Sequence, residues 1–105
     1  MRRTIIAANW KMNNLTKDVI TFFAEFGGTA LKSDNEVIVA PAYPYIPLAC
    51  ALAKNQNVEL AAQDVYPKNE GAFTGMVGGK MLEDLGVKAV IIGHSERRRI
   101  FGDTL

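Results

Sequence analysis

The sequence predicts an α/β fold in which short strands alternate with helices on a parallel sheet. Four brief apolar or β-branched runs recur at Thr4–Ala8, Glu36–Ala40, Glu59–Ala62 and Ala89–Ile92. Their starts at 4, 36, 59 and 89 fall 32, 23 and 30 residues apart, with helical pattern filling the gaps. Within them, Val37-Ile38-Val39 and Val90-Ile91-Ile92 are continuously apolar rather than alternating. Continuous runs suit strands buried on both faces, as in a parallel sheet covered by helices.

Each element has a local reason. After the first run, Leu15, Val19, Phe22, Phe23 and Phe26 form a stripe at helical spacing that Gly27-Gly28 closes. After the second, Pro44 can open a helix whose Ile46, Ala49, Leu52 and Ala53 share a face. The third run leads into a loop with four glycines between Gly71 and Gly79, then a short helix through Met81, Leu82 and Leu85. Gly86 is placed to cap that helix. The fourth run is followed by Ser95-Glu96-Arg97-Arg98, a helix start with Ser95 as N-cap and Glu96 in the first turn.

Size and composition limit the function classes. The 105 residues make one small domain, with no linker or low-complexity tract to divide 1–105. Apolar residues make up 49% and charged residues 22%, which excludes disorder by composition. Twelve Lys+Arg against eleven Asp+Glu leave a net charge of +1, so no nucleic-acid or membrane-surface partner is expected. A lone Cys50 forms no internal disulfide and favours a reducing compartment. Arg2 and Arg3 precede an apolar stretch too short for a signal peptide, and the uncharged run 37–53 is broken by Pro41, Pro44 and Pro47. A cytoplasmic location is the expectation.

Right-handed βαβ connections place all strand C-terminal ends on one edge, where such folds gather their functional loops. On that edge fall Asn9-Trp10-Lys11, Ala40-Pro41, Gln63-Asp64 and Gly93-His94. Gly93-His94-Ser95-Glu96 lacks the second glycine of a nucleophile elbow, and the chain has no second histidine to serve Ser95 as base. Gly75–Lys80 misses the Walker A spacing at Thr74 and Met81. His94 follows a buried strand and precedes a helix N-terminus, which suits a neutral hydrogen-bond donor; a structural histidine fits equally. Lys11 is either a solvated lysine or a cation aimed into the site, and Arg97-Arg98-Arg99 reads as a solvated face.

Four segments together carry a resemblance that none carries alone. They are Ala8-Asn9-Trp10-Lys11-Met12-Asn13, Ala61-Ala62-Gln63-Asp64, Gly71-Ala72-Phe73-Thr74-Gly75 and Ile92-Gly93-His94-Ser95-Glu96-Arg97-Arg98. In kind, order and spacing the set closely resembles the triosephosphate isomerase family. The resemblance implies a (β/α)₈ barrel, of which this chain covers roughly the first four βα units. It implies a cytosolic glycolytic and gluconeogenic isomerase, normally a homodimer, interconverting dihydroxyacetone phosphate and glyceraldehyde 3-phosphate without metal or cofactor. It further implies roles for individual residues. Lys11 would hold the phosphorylated substrate and stabilise the enediolate, and Asn9 would position substrate from the same loop. His94 would be the electrophile; its neutrality beside a helix N-terminus is an established property of this family. Glu96 would pair with Lys11 in the absence of substrate, and Ser95 would serve the helix start. Phe73, Thr74 and Gly75 would contact a partner subunit and brace its Lys11 and His94.

Departures from the family pattern are few. Ala8 stands where a glycine is usual, Met76 where a glutamate follows Thr-Gly, and Asp103 where glutamate is frequent. The family's general base follows the sixth strand, and its glycine-rich phosphate grip follows the seventh and eighth. Both lie outside the four units covered, so the chain alone is expected to be inactive. A non-catalytic half barrel that self-associates or complements a second half is the alternative.

Overall fold

A computed structural model describes residues 4–28 and 36–104; Arg2 and Arg3 lie outside this range. Strands β1 (Ile5–Asn9), β2 (Glu36–Ala40), β3 (Glu59–Ala62) and β4 (Ala89–Val90) form one sheet in the order β1-β2-β3-β4. All three pairings are parallel, in register from Ile5 opposite Glu36 through Ala62 opposite Val90. Helices α1 (Thr16–Gly28), α2 (Ile46–Ala53) and α3 (Gly79–Leu85) connect successive strands, and α4 (Ser95–Ile100) follows β4. No helix among the described residues is long and apolar enough to cross a membrane.

The helix stripes are what build the core. Val19 and Phe23 of α1 pack with Ala49 and Ala53 of α2 and Leu60 of β3; Ile46, Ala62 and Leu82 form a second cluster. Burying a side chain the size of Phe23 contributes roughly 1.5–3 kcal/mol. Trp10 extends the first cluster, its ring edge-on to Phe22 with centroids 5.1 Å apart. This aromatic contact anchors the loop between β1 and α1. Asp18 completes the entry to α1: its Oδ2 accepts the Leu15 N–H at 2.9 Å, satisfying a donor that the helix itself leaves open.

Several expectations need correction. β1 begins one residue later than expected and takes in Asn9; β4 pairs only through Val90, two residues short of Ile92. Neither is buried on both faces: Ile5–Ala8 are exposed, as is Ala89. Both are edge strands with a neighbour on one side only, so apolar sequence does not become burial there. Pro44 sits in a 3₁₀ turn, Tyr43–Tyr45, and α2 starts two residues later at Ile46 with Pro47 in its first turn. Gly86 does cap α3 in left-handed geometry, φ 96°, with Val87 N–H donating to the Leu82 carbonyl.

Candidate active site

The strand C-terminal ends surround a cavity of about 360 Å³ whose lining includes Asn9, Lys11, Tyr43, Gln63, His94 and Glu96. β1 delivers Asn9 at its last position, and the chain then turns so that Lys11 adopts a left-handed backbone, φ 56°. Non-glycine residues rarely hold that conformation, and strain of this kind clusters at functional sites. The turn is closed locally by Asn9, whose Oδ1 accepts the Lys11 N–H at 2.9 Å. Gln63, just past β3, donates from Nε2 to the carbonyls of Lys11 and Ala40, each at 2.8 Å.

Across the cavity, Lys11 Nζ meets Glu96 Oε1 at 2.7 Å, with both side chains partly exposed. The hydrogen bond from Lys11 holds the Glu96 carboxyl below the usual carboxylate range, and the charges of Lys11, His94 and Arg99 add to it. His94, not Ser95, is the N-cap of α4. Its φ and ψ of −59° and 140° leave it outside the helix, and its Nδ1 accepts the Glu96 N–H at 3.1 Å. Ser95 becomes the first helical residue and is exposed. With Nδ1 accepting, Nε2 is the ring nitrogen left to donate.

Arg97 departs from the solvated face expected of it. Its Nε donates to Asp103 Oδ2 at 2.9 Å, and its Nη2 lies 3.4 Å from Asp64 Oδ2. The guanidinium also stands 4.6 Å from the centre of the Phe101 ring. Beside it, the Tyr43 hydroxyl donates to the Asp64 carbonyl at 2.6 Å. Burial, and then the Asp64 charge, push the Tyr43 phenol up to about 12. Phe73, Thr74 and Gly75 lie apart from the cavity in an exposed turn, with the Phe73 ring 4.7 Å from that of Tyr66.

Residues 4–105 match the family model for triosephosphate isomerase. The chain belongs to the triosephosphate isomerase family. It is 47% identical to the triosephosphate isomerase of Moorella thermoacetica, an alignment covering 99% of this chain and 42% of that protein. Identity to the enzyme of Acetivibrio thermocellus is 45%, covering 98% and 41%; to that of Thermus thermophilus it is 42%, covering 99% and 42%. The chain thus spans about two-fifths of the length of these curated relatives. Its parallel sheet of four strands alternating with helices is half of a (β/α)₈ barrel.

Within this half barrel, the four residues Asn9, Lys11, His94 and Glu96 do converge on one cavity. Tyr43 and Arg97 line it too, although no sequence motif assigns either a role there. Tyr43 sits just past the end of β2, so its place on the functional edge was a usable signal. For Arg97 the signal was weaker: acids at Asp64 and Asp103 become its partners only through tertiary structure.

Proposed function

We propose that this chain supplies the cation and electrophile side of a site that interconverts dihydroxyacetone phosphate and glyceraldehyde 3-phosphate. The observation that carries this reading is the pairing of Lys11 with Glu96 across the cavity from a loop-held left-handed turn, next to an imidazole that accepts at Nδ1. Lys11 would exchange its carboxylate partner for the substrate and offset negative charge as the enediolate forms. His94 would donate from Nε2 to the substrate carbonyl and carry a proton between the two oxygens. Asn9, which already fixes the Lys11 N–H, would orient the substrate.

The proton on carbon needs a separate base. The family pattern gives that role to neither Glu96 nor Asp103, the latter engaged with Arg97 at 2.9 Å; it falls to the half of the barrel beyond these four units. A homodimer, with Phe73, Thr74 and Gly75 at its interface, belongs to the same reading, as does a cytoplasmic setting. The open sheet edges favour a second reading, a half barrel whose work is association and not chemistry.

Mixing the 105-residue chain with a polypeptide carrying the remaining four βα units separates these readings. Isomerisation of triose phosphates should appear in the mixture and disappear with Lys11→Met or His94→Gln. The chain alone should be slower by at least about 10²–10⁴-fold, the loss expected for a missing positioned base. Full turnover by the verified 105-residue chain alone would overturn the assignment of the base.

A further inference from the structure

We propose that Gln63 is a positioning residue that sets the conformation of Lys11 and thereby the placement of its ammonium group. This rests on the reading of Lys11 as the substrate-facing cation. A lysine at φ 56° does not hold that backbone unaided; its surroundings must impose it. Asn9 supplies part of the constraint from two residues away at the end of β1, so it shapes the turn but ties it to no strand other than its own.

Gln63 supplies what Asn9 cannot. Its side-chain amide has two hydrogens, and both are used: one on the Lys11 carbonyl and one on the Ala40 carbonyl, each at 2.8 Å. The Ala40 carbonyl also accepts the Trp10 N–H at 3.1 Å. One amide from the end of β3 therefore ties the loop after β1 to the end of β2. Among the described residues, this is the hydrogen bond that joins the backbone of Lys11 to a different strand. With the Lys11 Cα held in this way, the side chain leaves in the direction that brings Nζ to Glu96 at 2.7 Å. A carboxylate at position 63 would repel both carbonyls, and an aliphatic side chain would take this donor from the Lys11 carbonyl and leave the Ala40 carbonyl with the Trp10 N–H alone.

The test uses the whole 105-residue chain without ligand and reads Glu96 by carbon-13 carboxyl NMR as pH is varied. Lys11, His94 and Arg99 are the charged or titratable groups acting on Glu96, and Gln63 is neutral. Lys11→Met should raise the Glu96 midpoint toward the usual carboxylate value. Gln63→Met and Gln63→Leu should shift it the same way, although they change no charge, while the core amides of Val39 and Leu60 keep their dispersion. A residue with only a structural role would lower thermal stability and leave Glu96 where it was. In the unsubstituted chain, through-hydrogen-bond couplings should link Gln63 Nε2 to the carbonyl carbons of Lys11 and Ala40. They decide the matter if the variants do not fold, since a missing coupling to Lys11 overturns the proposal. If Lys11→Met moves Glu96 and both folded Gln63 variants do not, the role of Gln63 is overturned and the site reading stands. If Lys11→Met leaves Glu96 unmoved, the Lys11–Glu96 pairing itself is wrong and both fall. Failure of the mixed halves to isomerise triose phosphates, with the NMR shifts as expected, would reject the isomerase reading alone.

Discussion

Two glycines separate the costs of conformation and of space at single residues. Gly86 has φ 96°, and a methyl group added there would meet nothing closer than Cys50 Sγ at 4.0 Å. Gly86→Ala should therefore cost only the left-handed penalty, about 1–2 kcal/mol. Gly78 has an ordinary extended backbone, but an added methyl group would lie 2.7 Å from the Lys68 carbonyl oxygen and 3.0 Å from that of Asn69. Backbone atoms cannot swing aside, so Gly78→Ala should shift the loop and cost about 1–3 kcal/mol. Urea denaturation should thus rank Gly78→Ala at or above Gly86→Ala in destabilisation; the reverse order would mean that the loop has slack. Residue-level legibility follows the same division between local and tertiary causes. Asn9, Lys11 and His94 were legible as candidates because they stand at strand C-terminal ends, while their roles, and the place of Glu96 in the first turn of α4, came from the family resemblance. Gln63 stood on the right edge, but its two carbonyl partners come from other strands, and no local pattern names them. Ser95 was the better cap by preference, yet the helix starts one residue earlier, with His94 as its cap and Nδ1 accepting the Glu96 N–H at the second helical position.

Helix α4 illustrates an element that depends on its charges. It has six residues and buries none of them, far short of the length at which a helix stands alone in water. Its ties to the rest of the molecule include Glu96 to Lys11 and Arg97 to Asp64. Because the Glu96 carboxyl is depressed in the folded chain, its tie is fully present above the unfolded value of about 4.3. It is lost as pH falls through the lower folded value, so α4 should loosen in acid before the core does. The stabilisation involved is small, since both partners are partly exposed. At neutral pH, Arg97→Met should quicken hydrogen exchange at the Arg98 and Phe101 amides about two- to fivefold, the span expected for losing exposed ion pairs. Val39 and Leu60 should be unaffected; equal acceleration there would mean that Arg97 supports the whole fold. At this scale the sequence located each βα unit, and the errors fell at ends. Pro44 suits a helix start, but the chain takes one tighter turn there first, because a proline's fixed φ fits either.

Across the whole molecule, the repeat of strand and helix and its half-barrel extent were legible, but how little the outer strands bury was not. Apolar runs imply burial only if neighbours exist, and β1 and β4 each have a single neighbour in the sheet. Ile5 is 59% exposed, Ile6 48% and Ile92 76%, next to strand edges that, among the described residues, have no partner strand on the outer side. Unpaired parallel edges with apolar side chains invite pairing with another chain. The 105-residue polypeptide expressed alone should therefore associate, with a weight-average mass in sedimentation equilibrium that rises with concentration. Ile6→Lys puts a charge on the β1 edge and should lower that average mass without disturbing β2 and β3, whose Val39 and Leu60 are buried. Supplying the remaining four βα units should do the same by a different route, since edges paired with a complementary half are closed to further copies. If the chain alone sediments as a monomer at every concentration, its edges are protected by something other than a partner. The association reading would then lose its only support.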